Sequence, residues 1–215
     1  MVGVSTISKE TGTAAGGLQH CFISGSADCG LLLLGRTGGN EMDLLDLGRH
    51  IAPGASLLGV RGNVLENGRP RFFRRVGTGN FDIEDLKLRV DELCTFIAWA
   101  HAAYGMSKPI GVGFSNGANI LWPLLLWRPD VLGGAILMRP MRAFIPQNVA
   151  ALNGLPVLVI AGRSDTVVPP ERARETPDLL STAGADVTLQ WADAGHDFSM
   201  DDDRIAAHWL TRFAS

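Results

Sequence analysis

The stretch PIGVGFSNGANILW, residues 109–122, runs from one apolar segment into another through Gly113-Phe114-Ser115-Asn116-Gly117. Five letters of the form G-x-S-x-G are weak evidence alone. The flanks decide their meaning: IGVGF reads as a buried strand, NGANILWPLLLW as a helix, and nothing separates the two. A chain that turns straight from strand to helix crowds any side chain two residues before or after the turning residue, which gives Gly113 and Gly117 their reason. The same turn raises the serine hydroxyl above the carboxyl edge of a sheet, where open α/β sheets bind ligands. A serine that merely capped the helix would be the same residue type. The strand in front of it makes Ser115 a candidate nucleophile.

The same alternation continues along the chain. CFIS (21–24), GLLLLG (30–35), SLLGV (56–60), GGAILM (133–138), PVLVIAG (156–162) and DVTLQW (186–191) read as strands, most of them too continuously apolar to face water on one side. Residues 41–51, 83–105, 169–184 and 201–213 carry helical spacing; in the second, Leu86, Val90, Leu93, Cys94 and Ile97 make one apolar face. The pattern predicts a mostly parallel, doubly wound α/β sheet with helices on both faces, no internal repeat and no dividing linker. CFIS is placed to form an antiparallel hairpin with GLLLLG at the sheet edge. Pro123 falls inside the helix after Ser115 and predicts a kink there. Residues 1–17 read as a flexible start and 18–215 as a single domain without room for a separate cap. Residues 61–82 lack periodicity, and loops of that length are functional or disordered. Phe72, Phe73 and Phe81 give this one something to bury.

The chain's 215 residues suit one domain, and 46% hydrophobic with 19% charged residues is ordinary for a globular protein. A net charge of −3 offers no general attraction to nucleic acid or to anionic membrane surfaces. Lys9 and Glu10 stand where a signal peptide needs apolar residues, and no run approaches the ~18 apolar residues of a membrane span. The expected location is the cytoplasm, without membrane insertion. Cys21, Cys29 and Cys94 match no zinc spacing and read as free thiols, Cys21 and Cys94 in apolar surroundings.

A serine nucleophile needs a base, and in this fold the acid and then the histidine follow it, each in a loop after a strand. RSDTVVPP after PVLVIAG supplies Asp165, and ADAGHDF after DVTLQW supplies His196. His20 lies in an edge strand and His50, His101 and His208 lie on helices, so His196 is the one placed to reach Ser115. Asp193 and Asp197 flank the histidine, but a neighbour in the same turn points poorly at the far imidazole nitrogen. In this arrangement His196 takes the serine proton and returns it to the leaving group, while Asp165 fixes the tautomer. The backbone N–H of Asn116 supplies one donor for the oxyanion. The glycine-rich turn RTGGN supplies the other from around Thr37, unless that loop is a plain turn before a helix.

Those residues resemble the phospholipase/carboxylesterase family of small α/β-hydrolases, which includes bacterial carboxylesterases and acyl-protein thioesterases. The likeness runs from about residue 28 to the C-terminus. Its pieces are TGGNE (37–41), RGNVLENGRPRFFRR (61–75), GFSNGAN (113–119), LMRPM (137–141), AGRSDTVVP (161–169) and AGHDF (194–198). The resemblance implies an α/β-hydrolase fold, the triad Ser115, Asp165 and His196, and Thr37 and Asn116 as oxyanion donors. The chain departs from the family at Gly35-Arg36, where a His-Gly pair is usual. Main-chain donors survive a change of side chain, although arginine resists backbone angles that glycine adopts. Arg36 either assists an anionic substrate or points to solvent.

The expected activity is that of a serine carboxylesterase hydrolysing short- to medium-chain carboxylic esters through an acyl-enzyme on Ser115, with neither metal nor organic cofactor. Its partner is a small-molecule ester, and a homodimer is a further expectation. A shallow pocket would be lined by Arg36, Phe72, Phe73, Met141 and Val168. Arg71, Arg74 and Arg75 either bind a substrate carboxylate or phosphate or form a solvated surface. Thioesterase and lysophospholipase activity are alternatives within the same chemistry, and a non-catalytic binding protein on this fold is the alternative outside it.

Overall fold

Leu31, Leu32, Leu33 and Leu34 are at most 2% exposed, because strand β3 (Gly30–Leu34) lies inside a sheet covered on both faces. The computed structural model describes residues 9–14, 17–27, 29–77, 80–147 and 149–213. Its main sheet has eight strands, in the spatial order β1 (Lys9–Thr13), β2 (Gln19–Ile23), β4 (Ser56–Arg61), β3, β9 (Ile110–Phe114), β10 (Gly134–Met138), β11 (Pro156–Gly162) and β12 (Asp186–Ala192). Neighbours from β4 to β12 run parallel, and β1 and β2 are antiparallel at one edge.

Parallel neighbours require crossovers, and helices supply most of them; the described residues between β10 and β11 hold none. Helices α1 (Leu45–Ile51) and α5 (Met200–Leu210) bury Leu45, Leu47, Ile51, Ile205 and Trp209 against one face. Helices α2 (Ile83–Tyr104), α3 (Asn116–Trp127) and α4 (Glu175–Thr182) cover the other, with Leu86, Val90, Leu93, Trp122 and Leu180 in a second apolar cluster. Asp82 caps α2 by accepting from Asp85 N, and Gly105 ends it with φ +71°, a conformation cheap only for glycine. α3 continues through Pro123 to Trp127.

Three expectations are corrected. The 21–24 segment pairs with β4, not with GLLLLG, because both edges of β3 are taken by its parallel neighbours β4 and β9. Residues 9–13, expected in a flexible start, form β1 against β2; residues 1–8 and 15–16 lie outside the described residues. The 61–82 stretch holds two small hairpins, β5 (Val64–Glu66) with β6 (Arg69–Arg71) and β7 (Arg75–Gly77) with β8 (Asn80–Phe81). Phe72, Phe73 and Phe81 are buried beneath them in the α2/α3 cluster. No helix among the described residues is long and apolar enough to cross a membrane.

Candidate active site

Ser115 stands between the last residue of β9 and the first of α3 with φ +53° and ψ −108°, a strained conformation for a residue with a Cβ. The glycines on either side are required by contact. A Cβ on Gly113 would fall 2.6 Å from Ala118 N, and one on Gly117 only 1.9 Å from the carbonyl oxygen of Leu34. Ser115 N donates to Met138 O at 2.9 Å and Gly117 N to Gly35 O at 3.0 Å, so the turn is fastened to both neighbouring strand ends.

The loops after β11 and β12 bring two more side chains to this point. His196 Nε2 lies 3.0 Å from Ser115 Oγ, and His196 Nδ1 lies 2.9 Å from Asp165 Oδ2. A carboxylate only accepts, so Nδ1 carries the proton toward Asp165 and Nε2 is left to accept from the serine hydroxyl. Asp165 is 2% exposed, and its Oδ1 takes the amides of Val167 at 2.8 Å and Val168 at 2.9 Å. The carboxylate at His196 Nδ1 is that of Asp165, while Asp193 is exposed and Asp197 is turned to another partner. Asp193 N donates to Asp201 Oδ2, and Asp197 pairs with Arg36 at 3.1 Å.

The two expected oxyanion donors are held by one segment. Asn116 opens α3, where the first amides have no partner within the helix, and its Oδ1 accepts from Phe72 N at 2.8 Å. The Thr37 hydroxyl accepts from Arg71 Nη1 at 2.7 Å, its carbonyl from Arg69 Nη2 at 3.2 Å, and Gly38 N donates to Pro70 O at 2.8 Å. Arg71 is thus neither a substrate ligand nor a solvated residue. It is buried, and burial first, then repulsion from Arg75, pushes its guanidinium down to about 10 against the pull of Glu66. Arg75 pairs with Glu66 at 2.7 Å and Arg74 with Asp82 at 3.2 Å.

The expected pocket residues divide. Phe73 exposes none of its surface and packs edge-on against Phe81 at 4.7 Å, so it belongs to the core and lines no open pocket. Phe72 and Val168 are nearly as buried and serve the site through their amides. Met141 is half-buried, its backbone clamped between Asn119 Oδ1 at 2.7 Å and Trp122 Nε1 at 3.3 Å. Arg36, 57% exposed along its side chain, borders a cleft of about 560 Å³ that also includes Leu44, Leu47, Phe114, Asp197 and Phe198. Phe114 lies 6.0 Å from the His196 ring and 6.3 Å from Phe198. No cluster of three metal-ligating side chains occurs among the described residues.

Arg139 and Asp202 escaped the sequence reading. They form a wholly buried pair, Nη1 to Oδ1 at 2.6 Å and Nη2 to Oδ2 at 3.0 Å, beside the histidine loop. Two signals were present: an arginine directly after the apolar run GGAILM, and the S-x-x-D spacing of Ser199 and Asp202, which form a capping box on α5.

The sequence matches the dienelactone hydrolase family over residues 75–210. It is 44% identical over 194 residues to MhqD of Bacillus subtilis (strain 168), a protein named as a hydrolase, covering 89% of this chain and 97% of the relative. The Bacillus cereus carboxylesterase superimposes with a TM-score of 0.87 at 41% identity, covering 91% of this chain and 94% of that one. A carboxylesterase from Mesorhizobium loti gives 0.89 at 28% identity, over 94% and 98% of the two chains. The fold is that of the α/β-hydrolases, with a mostly parallel sheet and no separate cap evident.

Proposed function

Because the chain belongs to the dienelactone hydrolase family, we propose that it is a serine carboxylesterase that hydrolyses short- to medium-chain carboxylic esters through an acyl-enzyme on Ser115. The observation that carries this reading is the unbroken chain from Ser115 Oγ through His196 to Asp165, at 3.0 and 2.9 Å. His196 Nε2 removes the hydroxyl proton as Oγ attacks the ester carbonyl. Asp165, its second oxygen satisfied by two amides, holds the ring and stabilises the imidazolium. The tetrahedral oxyanion is received by the backbone N–H groups of Thr37 and Asn116. Its collapse expels the alcohol, which takes the proton from His196. Water, activated by the same histidine, then attacks the acyl-enzyme, releases the acid and restores Ser115.

The mass of the intact protein after fluorophosphonate treatment tests this, with Ser115→Ala as control and a series of p-nitrophenyl esters alongside. One adduct on the native chain, none on the variant, and turnover that peaks at short or medium acyl length are expected. A folded native chain that takes no adduct would exclude an activated serine and favour a binding protein. A large preference for a thioester over the matched oxygen ester would move the activity to thioesterase.

A further inference from the structure

We propose that Arg139, with Asp202 as its buried counter-ion, is a positioning residue that sets the pose of His196. The inference rests on the reading of His196 as general base and goes beyond the triad itself.

A guanidinium has five N–H donors in a fixed fork, and Arg139 has an acceptor for each. Nε donates to Gly195 O at 3.0 Å. Nη1 donates to Asp202 Oδ1 at 2.6 Å and Ile160 O at 3.3 Å. Nη2 donates to Asp202 Oδ2 at 3.0 Å and Asp197 O at 3.4 Å. Gly195 and Asp197 are the residues immediately before and after His196, so one rigid plane grips the histidine's main chain on both sides. Asp202 Oδ2 also accepts from Ser199 N at 2.8 Å and Ser199 Oγ at 2.9 Å, which ties the far end of the same loop to the start of α5.

The anchor is as fixed as the loop is exposed. Arg139 N donates to Ile160 O, and Met138, the preceding residue, accepts from Ser115 N. The grip on His196 therefore originates one residue from the contact that holds the serine. The close approach also needs Gly162, where a Cβ would lie 2.4 Å from Gly195 O and 3.1 Å from Arg139 Nε. Arg139 itself adopts φ +55°, which a non-glycine residue keeps only where its surroundings over-determine it. A buried ion pair is not needed for stability, since apolar residues of similar volume serve as well or better. What an apolar pair lacks is directional donors to the two carbonyls that flank the base.

Arg139→Lys keeps the charge but has three donors, too few for this set. The test compares it with the native enzyme and with Ser115→Ala in two readouts: steady-state ester kinetics, and the far-downfield proton resonance of the His196–Asp165 hydrogen bond, identified by its loss in His196→Ala. The folded variant should lose about 100-fold in kcat with KM within about twofold, and its downfield resonance should shift or broaden. The double variant Arg139→Met/Asp202→Leu, which removes the pair without stranding a charge, should show the same pattern if Arg139→Lys does not fold. Retention of both kcat and the resonance in either folded variant would overturn the proposal, as would a loss of kcat with the resonance unchanged. A perturbed resonance in a protein whose native form shows no Ser115-dependent turnover would uphold the positioning role and sink the esterase reading instead.

Discussion

Arg71 donates to the hydroxyl of Thr37 across 2.7 Å from a side chain 5% exposed, while Arg69 bonds the carbonyl of the same threonine. The 64–72 segment thus fixes the loop that carries the proposed oxyanion donor, and through Phe72 N it also fixes Asn116. Thr37→Val keeps the backbone N–H and the side-chain volume but deletes the acceptor, leaving a buried guanidinium donor without its partner. The expected result is a fall in kcat of about 10- to 100-fold with KM little changed, because the donor is displaced from where the oxyanion forms. Ester kinetics that match the native enzyme would show that this bond does not hold the loop.

Gly117→Ala should be much less stable than the native chain. A Cβ at 117 meets the carbonyl of Leu34, a strand oxygen that cannot rotate away, so α3 or β3 must shift in a close-packed interior at a cost of about 3 kcal/mol or more. Gly68→Ala is the control: nothing lies within 4 Å of its Cβ, and only φ +75° opposes it, a cost of about 1 kcal/mol. Soluble yield and thermal melting of the two variants read the difference. A Gly117→Ala protein that melts like Gly68→Ala would mean that the elbow tolerates a side chain.

The elbow, the two loops that carry Asp165 and His196 and the alternation of strands and helices were legible in the sequence because each is local: a strand end, a turn and a cap lie within a few residues of one another. What was not legible depends on contacts across the sheet. The pairing of β2 with β4 follows from β4 and β9 taking both edges of β3, and the 61–82 stretch hides its order because strands of two or three residues carry no period. Phe73 and Arg71 are adjacent in type to pocket residues, yet Phe73 faces the core and Arg71 faces Thr37, and only the packed fold separates those roles. Arg139 and Asp202 were missed for the same reason, being 63 residues apart.

His20 should make the protein acid-sensitive. Its ring is 4% exposed, bonded to Tyr104 Oη at 2.8 Å and packed against Phe96 and Trp99. Burial holds its pKa below the ordinary histidine value, against weaker upward pulls from the Leu18 backbone and from Glu10 and Glu41. With the folded pKa below the unfolded one, the unfolded chain binds the extra proton first. The contribution is therefore fully present above about pH 6.5 and is lost as pH falls below it. His20→Gln keeps a partner for Tyr104 without the titration, so its melting temperature should fall less between pH 7.5 and 5 than that of the native chain. Parallel curves for the two proteins would count against His20.

The three thiols should react in an order set by burial. Cys29 is exposed, Cys21 is buried, and burial pushes Cys94 up to about 11; only thiolate is the nucleophile. A thiol reagent at pH 7.5 should modify one cysteine per folded chain quickly, and Cys29→Ser should abolish that phase. A fast phase that survives the substitution would place a reactive thiol elsewhere.

Arg36→Gly should change turnover more than stability. The side chain's ion pair with Asp197 is 57% and 89% exposed on its two sides, the kind of contact that contributes about 0–1 kcal/mol, and added chain freedom from glycine contributes a similar loss. Together these predict a drop in melting temperature of a few degrees, roughly 2–8 °C. The backbone at 36 has a different role: its carbonyl accepts from Gly39 N at 3.0 Å and closes the turn in which Thr37 sits. Glycine there loosens the turn, and kcat should move by about tenfold in one direction or the other while KM stays near its native value. Asp197→Asn removes the ion pair without touching that backbone. If the asparagine variant reproduces the change in kcat, the charge beside His196 is responsible. If it leaves kcat alone while Arg36→Gly alters it, the path of the oxyanion loop is. If neither variant alters kcat and only the melting temperature falls, residue 36 has no part in the reaction.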